Sequence, residues 1–168
     1  NDLMLNSLDE LLPHYTVIHQ AGRIHQEAVA QTARALVPSG TEKRYHLYGQ
    51  LSPTQVAAAL EAADVVVSRA GSTSIFEIAY KRKPAILIPI PEEVSRDQRT
   101  NAYAYARSGA ATVLEEHNLT DDLFLAEIRY ILDNRDVCEK MRHAAAAFAT
   151  PDAARDIATY VAQVSQTH

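Results

Sequence analysis

Three consecutive valines, Val65 to Val67, sit between Asp64 and Ser68 and are followed at once by Arg69-Ala70-Gly71. A short uninterrupted apolar run reads as a strand covered on both faces, the kind found in parallel sheets. The glycine turn then feeds a helical pattern opening at Ser72 or Ser74. Strand, tight turn and helix in that order demand a crossover to a parallel neighbour, which restricts the chain to layered α/β architectures.

The flanking segments repeat the alternation. Strand patterns fall at Tyr15–His19, Arg44–Tyr48, Pro84–Ile90 and Ala111–Leu114. Helical patterns fall at Leu3–Leu12, Ile24–Val37, Pro53–Ala63, Ser74–Arg82, Asp97–Ser108 and from Thr120 to about Leu132, and two more finish the chain. Ser52-Pro53-Thr54-Gln55 has capping-box spacing with proline at the first helical position. Gly109 follows its helix where a left-handed cap belongs. The expected fold is therefore α/β, a doubly wound parallel sheet, over a single domain spanning 1–168.

Composition narrows the function. The 168 residues are 47% hydrophobic and 22% charged, with net charge −5. An acidic balance argues against a bulk electrostatic grip on nucleic acid. No apolar run reaches the roughly 18 residues needed to cross a bilayer. The single cysteine, Cys138, allows no internal disulfide and fits a reducing compartment. No H-E-x-x-H, P-loop, G-x-G-x-x-G or G-x-S-x-G motif occurs, so neither a metal nor a cofactor is expected.

In doubly wound sheets ligands bind beyond the C-terminal ends of the strands. The Arg69–Ser72 turn ends one strand and opens a helix, so its amides and the helix dipole can hold a phosphate. It serves equally as a plain connection in which Gly71 supplies backbone freedom. Glu77, one turn on, can accept two bonds from a sugar diol or bond back to Ser74 in a capping box. Asp97, Gln98 and Asn101 open a helix after the Pro91–Arg96 loop, where their side chains can read hydroxyls; Asp97 also suits a helix N-terminus. His19, at the end of another strand, reads as a structural histidine before a base or ligand. Glu115-Glu116 reads as a solvated strand end.

Five blocks in succession, HQAG at 19–22, ADVVVSRAGSTSIFEIA at 63–79, PAILIPIP at 84–91, DQRTNA at 97–102 and SGAATVLEE at 108–116, resemble the C-terminal half of the MurG family. These are transferases that move N-acetylglucosamine from UDP-N-acetylglucosamine to lipid I, forming lipid II in peptidoglycan synthesis. The resemblance covers nearly the whole chain. It implies the Rossmann-like, donor-binding half of a GT-B glycosyltransferase, acting without an obligatory metal at the cytoplasmic face of the bacterial membrane as a peripheral protein.

Residue by residue, Ser72, Thr73 and Ser74 match positions that contact the diphosphate and sugar, and Glu77 matches the ribose ligand. Asp97 and Gln98 match the pair that reads the N-acetylglucosamine hydroxyls, and Arg69 and Gly71 match turn positions that shape the pocket. Leu51, with Gln50, matches the segment bordering the uracil. Many members carry His or Gln where this chain has Asp97, an acceptor only when ionised. No residue matches a catalytic base.

The family pattern also has a strand and a G-G-S-x-G-A turn just ahead of the residue matching Asn1, and an N-terminal acceptor domain before that. Neither lies within these 168 residues, so the chain by itself is expected not to turn over. In the order 3-2-1-4-5-6 that strand is central. The strands at 15–19 and 64–68 are then expected either to face each other across a gap or to sit in a sheet closed in another order. The resemblance leaves room for two other readings: the donor subunit of another lipid-linked N-acetylglucosamine or glycolipid transferase, and a non-catalytic nucleotide-sugar-binding module.

Overall fold

The computed structural model describes residues 1–91, 94 and 96–165. Strands are β1 (Val17–Gln20), β2 (Tyr45–Tyr48), β3 (Val66–Ser68), β4 (Ala85–Leu87) and β5 (Ala111–Val113). Helices are α1 (Asp2–Asn6), α2 (Leu8–Leu11), α3 (Gln26–Leu36), α4 (Pro53–Ala62), α5 (Ser72–Tyr80), α6 (Arg96–Ala106), α7 (Asp121–Asp133), α8 (Arg135–Phe148) and α9 (Ala153–Ser165).

Alternate residues of β4 belong to different cores. Ile86, followed by Ile88, packs with Leu8 and Leu12 near the N-terminus, Val29 of α3, and Phe124 and Ile128 of α7. Ala85 and Leu87 pack with Ile75 and Ile78 of α5, Ala102 and Tyr105 of α6, and Ala145 of α8. A strand buried on both faces by helices is the doubly wound arrangement its apolar sequence demands. Ile86 and Leu87 have no exposed surface, so truncating either to alanine would cost about 2–5 kcal/mol.

All pairing among the described residues is parallel, but the strands form two sheets. β1 pairs with β2, Val17 opposite Tyr45 through Gln20 opposite Tyr48. β3 pairs with β4, Val66 opposite Ala85, and β4 with β5, Ala85 opposite Ala111. No ladder joins β1 to β3. Between them lie two cavities of about 980 and 680 Å³, both lined by β1 and β3 residues. Ile18 and Val66 face the first and Val17 and His19 the second. The spatial order is thus β2-β1, a gap, then β3-β4-β5, with one edge of each flanking strand unpaired.

Local details follow the sequence with two exceptions. Ser52 caps α4, accepting from the Gln55 amide while the Gln55 side chain accepts from the Ser52 amide. Gly109 has φ of +87°, the left-handed geometry that ends α6's trailing turn. The expected helix over Leu3–Leu12 is instead broken at Ser7, whose buried hydroxyl donates to the Leu3 carbonyl at 2.8 Å. Such back-bonding competes with helix propagation. The helix after β3 starts at Ser72, with Gly71 as N-cap and no side-chain cap. Ser74 and Glu77 therefore lie inside α5 and form no capping box.

Candidate functional site

The C-terminal ends of β1 and β3 open on the larger cavity. Gln20 and Ser68, the last residues of those strands, line it together with Leu51, Ser74 and Glu77. Residues from three separate βα connections thus converge on one space. Glu77 is exposed, and its carboxylate has no hydrogen-bond partner among the described residues. An unengaged carboxylate at the rim of a cavity is free to accept hydroxyl donors.

The α5 N-terminus stands beside it. Gly71 makes the turn with extended backbone, φ −66° and ψ 140°, and Ile75 donates to its carbonyl at 3.0 Å. The amides of Ser72, Thr73 and Ser74 precede that first intrahelical bond, and no side chain caps them. Helix geometry therefore presents amide donors and partial positive charge where an anion can dock. Ser72 and Thr73 are exposed and line neither large cavity, so of the three hydroxyl residues only Ser74 reaches it.

Leu51 is held by β1. Its amide donates to Oε1 of Gln20 at 3.0 Å, and the neighbouring Gln50 accepts from Nε of Arg23. Gln20 has no counterpart among the residues singled out from sequence. The signal available was its place at a strand's C-terminal end in HQAG.

Arg69 lines the smaller cavity and turns along the sheet edge. Its Nη1 donates to the Ile88 carbonyl at 3.2 Å and to Glu116 at 2.8 Å. Glu115 accepts from Nε of Arg99 at 3.0 Å and from the Tyr103 hydroxyl. The Tyr103 bond, followed by Arg99, holds the Glu115 carboxyl below its ordinary range. The acidic pair after β5 is therefore engaged with α6 and the β3 turn, not merely solvated as its sequence suggests.

Gln98 and Asp97 part company. Asp97 is exposed in the first turn of α6, with no side-chain partner among the described residues. Gln98 Oε1 instead accepts from two backbone amides, Ala70 and Ile90, each at 3.2 Å.

His19 is buried, as a structural histidine would be. Nε2 lies 3.0 Å from Asn1 Oδ1, which can only accept, so Nε2 carries the proton and Nδ1 accepts from the Tyr45 hydroxyl at 2.8 Å. Burial lowers its pKa to about 4. Among the described residues, no group of three or more His, Cys, Asp or Glu is placed to hold a metal ion.

The model of the glycosyltransferase family 28 C-terminal domain matches residues 1–157. The chain belongs to this family. Family 28 relatives extend the likeness. The chain is 36% identical over 162 residues to the UDP-N-acetylglucosamine–N-acetylmuramyl-(pentapeptide) pyrophosphoryl-undecaprenol N-acetylglucosamine transferase of Anaeromyxobacter sp. (strain Fw109-5), covering 92% of this chain and 41% of that protein. It is 31% identical over 159 residues to the like-named transferase of Natranaerobius thermophilus, covering 94% and 43%. The chain thus spans about two-fifths of the length of the curated relatives it matches. In fold it resembles the crystal structure of Acinetobacter baumannii MurG, with TM-score 0.73 and 24% identity over 96% of this chain and 46% of that one. It also resembles the kitacinnamycin glycotransferase, with TM-score 0.67 and 21% identity over 95% and 38%. The α/β fold is that of the Rossmann-like half of such glycosyltransferases, as expected from sequence.

Proposed function

We propose that this chain is the C-terminal, sugar-donor-binding half of an inverting glycosyltransferase that moves N-acetylglucosamine from UDP-N-acetylglucosamine to lipid I in peptidoglycan synthesis. The full protein works peripherally at the cytoplasmic face of the bacterial membrane. One observation carries the reading beyond family membership: Leu51, Ser74 and Glu77, the last without a side-chain partner among the described residues, line a single cavity beside a helix N-terminus that has no side-chain cap among them.

Each part has work in such a reaction. The Leu51 segment borders the base and Glu77 accepts the ribose hydroxyls. The amides opening α5 face the diphosphate. As the acceptor hydroxyl attacks the anomeric carbon, the bond to the diphosphate oxygen breaks and negative charge grows on UDP. Fixed amide dipoles stabilise that charge without reorganising. Asp97, exposed in the first turn of α6, is the residue there left to accept a sugar hydroxyl. The acceptor site and the base that takes the hydroxyl proton lie outside these 168 residues, so the chain alone binds without turning over.

Glu77→Ala in the full-length protein tests this. Loss of a charge-assisted pair of hydrogen bonds, about 1.5–3 kcal/mol, predicts UDP affinity lowered by roughly 10- to 100-fold with unchanged thermal stability. Unchanged affinity for UDP and for UDP-N-acetylglucosamine by calorimetry removes Glu77 from the site.

A further inference from the structure

We infer that Gln98 is a positioning residue for the β3–α5 turn, so that its effect reaches the diphosphate before it reaches the sugar. This rests on the donor-site reading above. Ala70 has no exposed surface, and its amide, just past β3, has no water to turn to. That amide and the Ile90 amide, just past β4, both donate to Gln98 Oε1 at 3.2 Å. Both partners are N–H groups, so the atom facing them must be the amide oxygen, and these two bonds use both of its lone pairs.

One turn later on the same face of α6, Asn101 Nδ2 donates to the Ala70 carbonyl at 3.4 Å. Both polar backbone groups of Ala70 are thus held by α6. Gly71 and the open amides of α5 come next in the chain. Their position relative to the β4 loop is set by these bonds, because Ala70 cannot move without breaking them.

The bonding also restricts what Gln98 can read. Its remaining capacity is Nε2, which donates only, so any ligand atom it meets is an acceptor such as a hydroxyl or carbonyl oxygen. A residue that reads only sugar and one that sets the phosphate turn differ in an observable way. The first alters affinity for the nucleotide sugar alone; the second alters affinity for UDP as well.

In the full-length protein, Gln98→Met keeps the length and removes the acceptor. Gln98→Glu keeps two acceptors for the amides. The expected result is a Gln98→Met protein that is folded by circular dichroism and exchanges the peptides containing Ala70 and Ile90 at least tenfold faster. It binds UDP and UDP-N-acetylglucosamine about tenfold more weakly, both to the same degree. Gln98→Glu restores the slow exchange. Unchanged exchange in Gln98→Met overturns the brace, and a loss confined to UDP-N-acetylglucosamine overturns positioning in favour of direct sugar contact. If the wild-type protein binds neither nucleotide, the donor-site reading and the positioning role fall together, and exchange alone reports whether the brace exists.

Discussion

The amide of Leu51 donates to the side-chain oxygen of Gln20 across 3.0 Å, joining the loop after β2 to the end of β1. Leu51 lines the larger cavity, and Gln20 is what holds it there. Gln20→Ala releases one exposed hydrogen bond, worth about 1 kcal/mol. UDP affinity of the full-length protein should fall roughly three- to tenfold through loss of a preformed wall, with little change in melting temperature. Calorimetric titration of UDP reads the effect; equal affinities would show that this loop does not border the nucleotide.

His19 contributes to the acid limb of the stability curve. Its folded pKa, about 4, lies below the ordinary 6.5, with burial the main cause. Between those values the unfolded chain binds a proton that the folded chain does not. Stability therefore falls as pH is lowered from 6.5 to 4, by about 1.4 kcal/mol per unit and roughly 3 kcal/mol in all. His19→Gln keeps a donor for Asn1 and an acceptor for Tyr45 but cannot titrate. Denaturant unfolding at pH 4.5 and 7 should show a smaller difference for His19→Gln than for wild type.

The gap between β1 and β3 leaves two parallel-strand edges open. Open edges pair with other chains unless blocked by charge. Ile18, in the middle of β1, is 42% exposed and faces the gap. The 168-residue chain should associate with rising concentration, and Ile18→Lys should suppress this without unfolding it. Light scattering at matched concentrations decides; association undiminished by the lysine would place the sticky surface elsewhere.

What could be read from residues was local or periodic. Ser52 and Gln55 announce their own capping box, Gly109 its left-handed turn, and the valines their strand, though only Val66–Ser68 pairs. The helix could open at Ser72 or at Ser74, and periodicity cannot choose between them; the fold caps it with Gly71 instead. Resemblance grouped Leu51, Ser74 and Glu77, which spacing alone left apart, and the three line one cavity. It did not show the bonds made across long sequence separations. Gln98 reaches Ala70, and Arg69 reaches Glu116, only because β3, β4 and β5 end side by side. Such partners depend on strand order, and a one-dimensional pattern does not carry it.

Tyr105 carries a cost that the fold does not recover. Its ring has no exposed surface and meets Phe148 edge-on, centroids 4.8 Å apart at 70°. Its hydroxyl is buried without a hydrogen-bond partner among the described residues. Burial also pushes its pKa up to about 12. Tyr105→Phe keeps the ring contact and removes the orphan hydroxyl, so the variant should gain about 1–2 kcal/mol, or roughly 2–8 °C in melting temperature. The raised pKa adds a second signature. Between pH 10 and 12 the unfolded tyrosine has lost its proton while the folded one keeps it, so this residue's contribution falls as pH rises through that range. Phenylalanine has no proton to lose, so the stability gap between variant and wild type should widen from pH 8 to pH 11. A gap that stays constant, or a variant less stable at pH 8, would show that the hydroxyl has a partner in solution.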